Sequence, residues 1–130
     1  MIIADASVIL EVLLNTTTGA EIEKQLFAPE QTIHIPYLTD LEVLQVLRRY
    51  SSTKVISDVR AQQAIEDHTD MPLNRYPHSV LLPRIWTLRH NFTAYDAAYI
   101  ALAEALDSPL MTCDHAFAML RGHRARVMVF

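Results

Sequence analysis

Four acidic residues stand where apolar runs hand over to helical ones: Asp5 in IIADASVIL, Glu42 in TDLEVLQVL, Asp96 in TAYDAAYIALAEAL and Asp114 in LMTCDHAF. Carboxylates repel one another, so four of them in one pocket require something positive to neutralise them. A set with no histidine or thiolate argues against zinc and suits a hard, oxygen-seeking ion, Mg²⁺ or Mn²⁺. Such an ion lowers the pKa of water, orients it towards phosphorus and stabilises a leaving oxygen. On this reading Asp5, Asp96 and Asp114 are the metal ligands, and Glu42 holds or deprotonates the attacking water. Ser7 and Thr112 are natural hydroxyl supports behind the ligands.

Each acid also has a purely local explanation. Thr39-Asp40-Leu41-Glu42 spells a capping box, and Thr93-Ala94-Tyr95-Asp96 a shortened one. Asp5 and Asp114 suit the N-cap position, worth ~1 kcal/mol each, where the helix dipole favours negative charge. The joint arrangement favours a cluster. Ligands of open parallel sheets bind at the carboxyl ends of the strands, which is where Asp5 and Asp114 fall. Glu42 and Asp96 open unusually apolar helices, where an uncompensated carboxylate is costly or becomes protonated.

The elements that must position these acids follow from short apolar runs alternating with helical periodicity, the pattern of an α/β domain with a largely parallel sheet. Strands are predicted at 2–5, 33–35, 73–75, 109–112 and 126–129. Helices are predicted at 6–14, 16–27, 39–50, 55–68, 78–89, 94–106 and 115–121. In the sixth of these helices Ala94, Ala97, Ala98, Ala101, Ala103 and Ala105 leave little bulk, so it belongs at the centre. In 78–89 the inward residues are Ile85, Trp86 and Leu88, with Pro83 in the first turn or at a kink.

Composition sets the outer limits. A chain of 130 residues with 51% hydrophobic content suits one domain, spanning 1–130, that buries roughly two thirds of its unfolded surface. Met1-Ile2-Ile3 has no basic segment before it, so no signal peptide is expected. No run approaches the ~18 apolar residues of a membrane span, which predicts a soluble, cytoplasmic protein. Cys113 is the only cysteine, which excludes an internal disulfide, a cysteine-rich zinc site and a CxxC motif. A cysteine-phosphatase loop would need arginine at 119, where Met119 stands. There is no glycine-rich nucleotide loop. The formal net charge of −4 does not itself recommend a polyanion, yet the basic residues are grouped: Arg121, Arg124 and Arg126 with His123; Arg48 and Arg49 near Lys54; Arg84 and Arg89 with His90. All but Lys24 and Lys54 are arginine, which grips phosphate in a fixed fork. His78 and His115 are minor candidates for touching phosphate.

IIADASVIL, TDLEVLQVLRR, YDAAYIALAEAL and the TCD turn, in that order and over essentially the whole chain, resemble the PIN-domain ribonucleases, and most closely the VapC toxins of bacterial toxin–antitoxin pairs. The resemblance implies a three-layer α/β/α sandwich around about five mostly parallel strands, and Mg²⁺-dependent endonucleolytic cleavage of RNA. It also implies a homodimer, a VapB-type antitoxin that inserts a segment near the acidic site, and a site made by Asp5, Glu42, Asp96 and Asp114. Two departures stand out. Asp107 replaces the glycine common after the alanine-rich helix, at modest conformational cost. Residues 115–120 hold no further acid, which disfavours a second ion. Two other classes compete with this reading. A haloacid-dehalogenase-like phosphatase would need a second acid where Ser7 stands. A non-catalytic interaction module would leave the acids as caps and the apolar helices for a partner; its receiver-domain version lacks a late lysine.

Overall fold

A computed structural model describes the whole chain, residues 1–130. Five short strands, β1 (Ile2–Ala4), β2 (Ile33–Pro36), β3 (Leu73–Tyr76), β4 (Leu110–Thr112) and β5 (Val127–Val129), pair in the order β3-β2-β1-β4-β5 with every neighbour parallel. Seven helices connect them: α1 (Ala6–Leu13), α2 (Thr17–Leu26), α3 (Leu38–Ser52), α4 (Asp58–Asp70), α5 (Leu82–Thr87), α6 (Ala94–Ala105) and α7 (Ala116–Met119). No helix is long and apolar enough to cross a membrane.

Parallel strands need crossovers, and these run right-handed. Connections moving outward from β1 to β3 therefore cover one face, and those moving from β1's other side to β5 cover the opposite one. Alternation along the strands serves both faces. Ile2, Ala4, Ile33, Ile35 and Met111 pack beneath α1 to α4, whereas Ile3 and Leu110 pack beneath α6 and its neighbours. The result is the three-layer α/β/α arrangement. Buried alanines 97, 98, 101 and 103 hold α6 against the sheet, as their small size suggests.

The reversal of strand order lies between β1 and β4. There adjacent crossovers leave to opposite faces, opening a crevice beyond the carboxyl ends of the strands. Asp5 immediately follows β1 and Asp114 follows β4 by two residues.

Several expectations need correction. The segment 78–89 is not one helix: His78–Leu81 forms a 3₁₀ turn and α5 starts at Leu82, with Pro83 in its first turn. Ile85 and Leu88 face inward as expected. Leu88 is buried, but Trp86 is 67% exposed, with the Arg89 guanidinium 4.6 Å above its ring. The helix expected from position 55 starts at Asp58, because Lys54 turns left-handed (φ 60°) and Ser57 caps Arg60 N–H. Asp107 does adopt the left-handed conformation (φ 44°) that ends α6.

One glycine is fixed by close approach. A Cβ at Gly19 would lie 2.1 Å from the Glu11 carbonyl oxygen, where α2 meets α1. Gly19→Ala should cost about 1–3 kcal/mol through overpacking, read as a lower midpoint in urea denaturation with an unchanged slope.

Candidate active site

Asp5 forms the first part of the site. Its carboxylate caps α1 by accepting Val8 N–H at 3.2 Å, and it also accepts the hydroxyls of Ser7 and Thr112, each at 2.5 Å. These supports are themselves fixed. Cys113 N–H donates to Ser7 Oγ (2.9 Å) and Asp114 N–H to Thr112 Oγ1 (3.0 Å), tying the turn after β4 to the turn after β1. Ser7 and Thr112 therefore stand where the sequence reading put them. Burial pushes the Asp5 carboxyl above its ordinary value, against the pull of these donors.

Glu42 reaches the site from the first turns of α3, and here the capping-box expectation is wrong. The helix begins at Leu38, and no side chain from the Tyr37 cap position bonds to it. Leu38 N–H donates instead to His78 Nε2 at 2.9 Å, so His78 serves the end of α3 rather than a phosphate. Thr39 is buried and bonds the Tyr99 hydroxyl at 2.9 Å, and that hydroxyl donates to Glu42 Oε1 at 2.7 Å. On the outer side of the same turn Asp40 accepts Arg75 (2.8 and 3.1 Å) and His68 (2.7 Å). Burial would raise the Asp40 carboxyl, but these two partners outweigh it and hold it below the usual range.

Asp96 lies in the first turn of α6, where its N–H donates to the Thr93 hydroxyl at 3.1 Å. Asp114 is exposed and accepts Ala116 N–H at 2.9 Å at the entry to α7. Asp5, Asp96 and Asp114 thus all take part in turn or cap geometry while also facing a common space. Capping and clustering are not alternatives here.

All four acids line one cleft of about 470 Å³, with Leu10, Leu38, Leu41, Tyr95, Tyr99 and Phe117 among its apolar walls. Their mutual repulsion is visible. Burial raises Glu42, opposed by the Tyr99 bond, with the Asp5 and Asp96 charges adding to the rise. Burial likewise raises Asp96, opposed by Thr93 and reinforced by Asp114. The ion pairs of the fold use Asp40 and Glu104, and none of the four cleft acids takes part in one. Uncompensated negative charge at several partly buried positions is what a cation site needs.

The donor set, carboxylates without imidazole or thiolate among the lining residues, suits a hard divalent cation. The side chains line the cleft without closing into a finished cage. No three His, Cys, Asp or Glu groups converge tightly enough to hold an ion as they stand.

Other expected contributors lie elsewhere. Arg84 is committed to Glu104, at 2.7 and 3.0 Å. Arg124 and Arg126 border a groove with Glu104, Asp107 and Ser108, before β4 and β5 and so at the opposite edge of the sheet from the acids. Cys113 is partly buried, and burial raises its thiol, which does not favour a nucleophile. Tyr99 escaped the sequence reading, although its position three residues after Asp96 places both on one face of a helix.

The PIN domain family matches residues 2–122. Ribonuclease VapC12 of Mycobacterium tuberculosis is 35% identical over 127 residues, covering 98% of this chain and 97% of the relative. Ribonuclease VapC9 of the same organism is 40% identical over 114 residues, covering 88% and 86%. Among solved structures, VapBC2 from Rickettsia felis bound to a DNA fragment from its promoter superposes with a TM-score of 0.65 at 14% identity, over 99% of this chain and 98% of that one. The last likeness concerns the fold alone. Matched along nearly its full length, with its strand order, layers and cleft in place, the chain belongs to the PIN domain family, in company with relatives of the VapC type.

Proposed function

We propose that this protein is a metal-dependent endoribonuclease of the cytoplasm and the toxin of a toxin–antitoxin pair, forming a homodimer and silenced by a VapB-type antitoxin. One observation carries the reading: carboxylates from four separate segments line a single cleft at the switch point of the sheet, and none is neutralised by a protein cation. The ribonuclease names of its relatives support RNA as substrate, and the VapBC2 assembly supports the antitoxin partner.

In this mechanism Asp5, Asp96 and Asp114 would hold Mg²⁺, or Mn²⁺ in its place, and the bound ion would supply neutralising charge for the phosphate and the departing oxygen. Ser7 and Thr112 fix the Asp5 carboxylate so that it needs no reorganisation when charge arrives. Glu42 Oε2, which accepts no hydrogen bond within the protein, takes the proton of the water that attacks phosphorus. The Tyr99 hydroxyl holds the other oxygen, Oε1, and so aims Oε2 into the cleft. Leu10, Leu38 and Phe117 keep bulk water away from the developing charge. The cleft runs on into an apolar groove between α3 and α4, Leu41 and Gln45 bordering both, so an antitoxin segment laid along that groove reaches the acids.

Incubation of the purified protein with total RNA tests the reading directly. Fragments should accumulate with Mg²⁺, cease with chelator and return with Mn²⁺. RNA that stays intact across a wide range of protein and both ions removes the proposal.

A further inference from the structure

The most unusual side chain near the cleft is Tyr99. It is 2% exposed, in the middle of an otherwise alanine-rich helix buried against the sheet. A phenylalanine would satisfy packing there without burying a hydroxyl, and a buried hydroxyl is tolerated only when partnered. Both of its partners are on α3: Thr39 Oγ1 at 2.9 Å and Glu42 Oε1 at 2.7 Å.

The direction of these bonds is fixed by chemistry. An ionised carboxylate can only accept, so the single phenolic proton goes to Glu42, and the phenolic oxygen must then accept from Thr39. The result is a one-way chain, from Thr39 hydroxyl to Tyr99 hydroxyl to Glu42 carboxylate, in which each bond polarises the next. Burial foremost, with the Glu42 charge beside it, holds the phenol far above its ordinary pKa, so it remains a donor.

We infer that Tyr99 is a positioning residue: by holding Glu42 Oε1 from the helix that also carries Asp96, it fixes the free oxygen of Glu42 relative to Asp96, with Thr39 as the donor behind it. Tyr99 follows Asp96 by three residues, one turn along α6, so a rigid helical turn sets a spacing that two separate helices would otherwise leave loose. The inference rests on the ribonuclease reading for its consequence in catalysis, but not for the contact itself.

Two measurements test it. Tyr99→Phe keeps the ring and removes the donor. With RNA and saturating metal, kcat should fall roughly 10- to 100-fold, a part of what a well-placed general base contributes, while KM stays within about twofold, since the loss is confined to the transition state. Thr39→Val, which spares the Tyr99–Glu42 bond, should lower kcat less, and should add nothing in the Tyr99→Phe background. The second measurement uses metal-free protein and no substrate. Thermal unfolding of Tyr99→Phe, Glu42→Leu and the double variant should show non-additive changes, because without Glu42 the phenol keeps only its Thr39 contact and Tyr99→Phe costs less. Parental kcat in Tyr99→Phe, a change confined to KM, or additive thermal changes would each overturn the inference. If Tyr99→Phe does not fold, an unchanged kcat in Thr39→Val overturns it alone. Should the parent protein leave RNA intact, the ribonuclease reading fails and the catalytic role with it, while the unfolding cycle still decides whether the relay exists.

Discussion

Asp96→Asn is expected to leave the fold intact and to reduce RNA cleavage roughly 100- to 1000-fold, the several kcal/mol that a lost metal ligand withdraws from the transition state. The separation of activity from stability has a structural cause. The capping contact at this turn runs from Asp96 N–H to the Thr93 hydroxyl, and the carbonyl oxygen of an Asn side chain can still accept from that hydroxyl as the carboxylate does. Burial and the nearby Asp114 both disfavour charge at Asp96, so the neutral amide relieves strain in the metal-free protein. Its metal-free Tm should therefore equal or exceed that of the parent, and the gain on adding Mn²⁺ should shrink. Asp5→Asn makes a less clean test. Thr112 Oγ1 already accepts Asp114 N–H and donates to Asp5, so an amide NH₂ turned towards it would leave the threonine proton without an acceptor. Parental cleavage by Asp96→Asn would remove this residue from the metal site.

The second large effect is thermal. At a concentration of 100 times its Kd, Mn²⁺ adds about 2.7 kcal/mol, roughly 10 °C in a domain of this size, and the gain should contract as pH falls from 7 to 5. Asp5, Glu42 and Asp96 all have folded pKa values raised above their ordinary 3.8, 4.5 and 3.8. A raised carboxyl penalises the folded state near neutrality, and the penalty lifts as pH drops through the folded value. A bound cation needs the same groups deprotonated, so protons and metal compete. Other groups would obscure the metal-free curve taken alone. His34 is held below its ordinary 6.5 by burial, so its contribution is full above that value and declines in acid. Asp40 and Glu104, both lowered, lose theirs only as pH falls through the ordinary carboxylate range and below it. The difference between metal-bound and metal-free Tm at each pH isolates the cleft. No Mn²⁺ gain at pH 7, or the same gain at pH 5, would dismiss the carboxylates as the binding site.

Much of the fold could be read in the chain because its signals are local. Apolar triplets before Asp5 and Asp114 announce strands, and alanine spacing announces α6. Strand order was not readable from those runs, since three residues say nothing of which neighbour they pair with. The site divides in the same way. Asp5, with Ser7 and Thr112 behind it, follows from position at a strand end. Glu42 was singled out at the start of an apolar helix, and the local explanation that competed with it fails: Thr39-x-x-Glu42 spells a capping box, but the threonine hydroxyl is claimed by Tyr99, 60 residues on. A tertiary partner overrode a local pattern, and no neighbouring residue could reveal it. Trp86 failed for a different reason: Ile85 and Leu88, three apart, set the inward face of α5, and Trp86, next after Ile85, is turned away from it. Arg84 misled because charge counted along a sequence takes no account of ion pairs: Glu104 had already claimed it.

The pairing of β1 with β4 has a consequence for the order of synthesis. The first strand leaves the ribosome with Asp5 almost at once, but the Thr112 hydroxyl that supports it arrives 107 residues later. At translation speeds of about 5–20 residues per second, a nascent chain spends several seconds with half its carboxylates in place and no neighbour on one side of β1. A cleft laid out in this way cannot be complete until the final third of the chain has emerged.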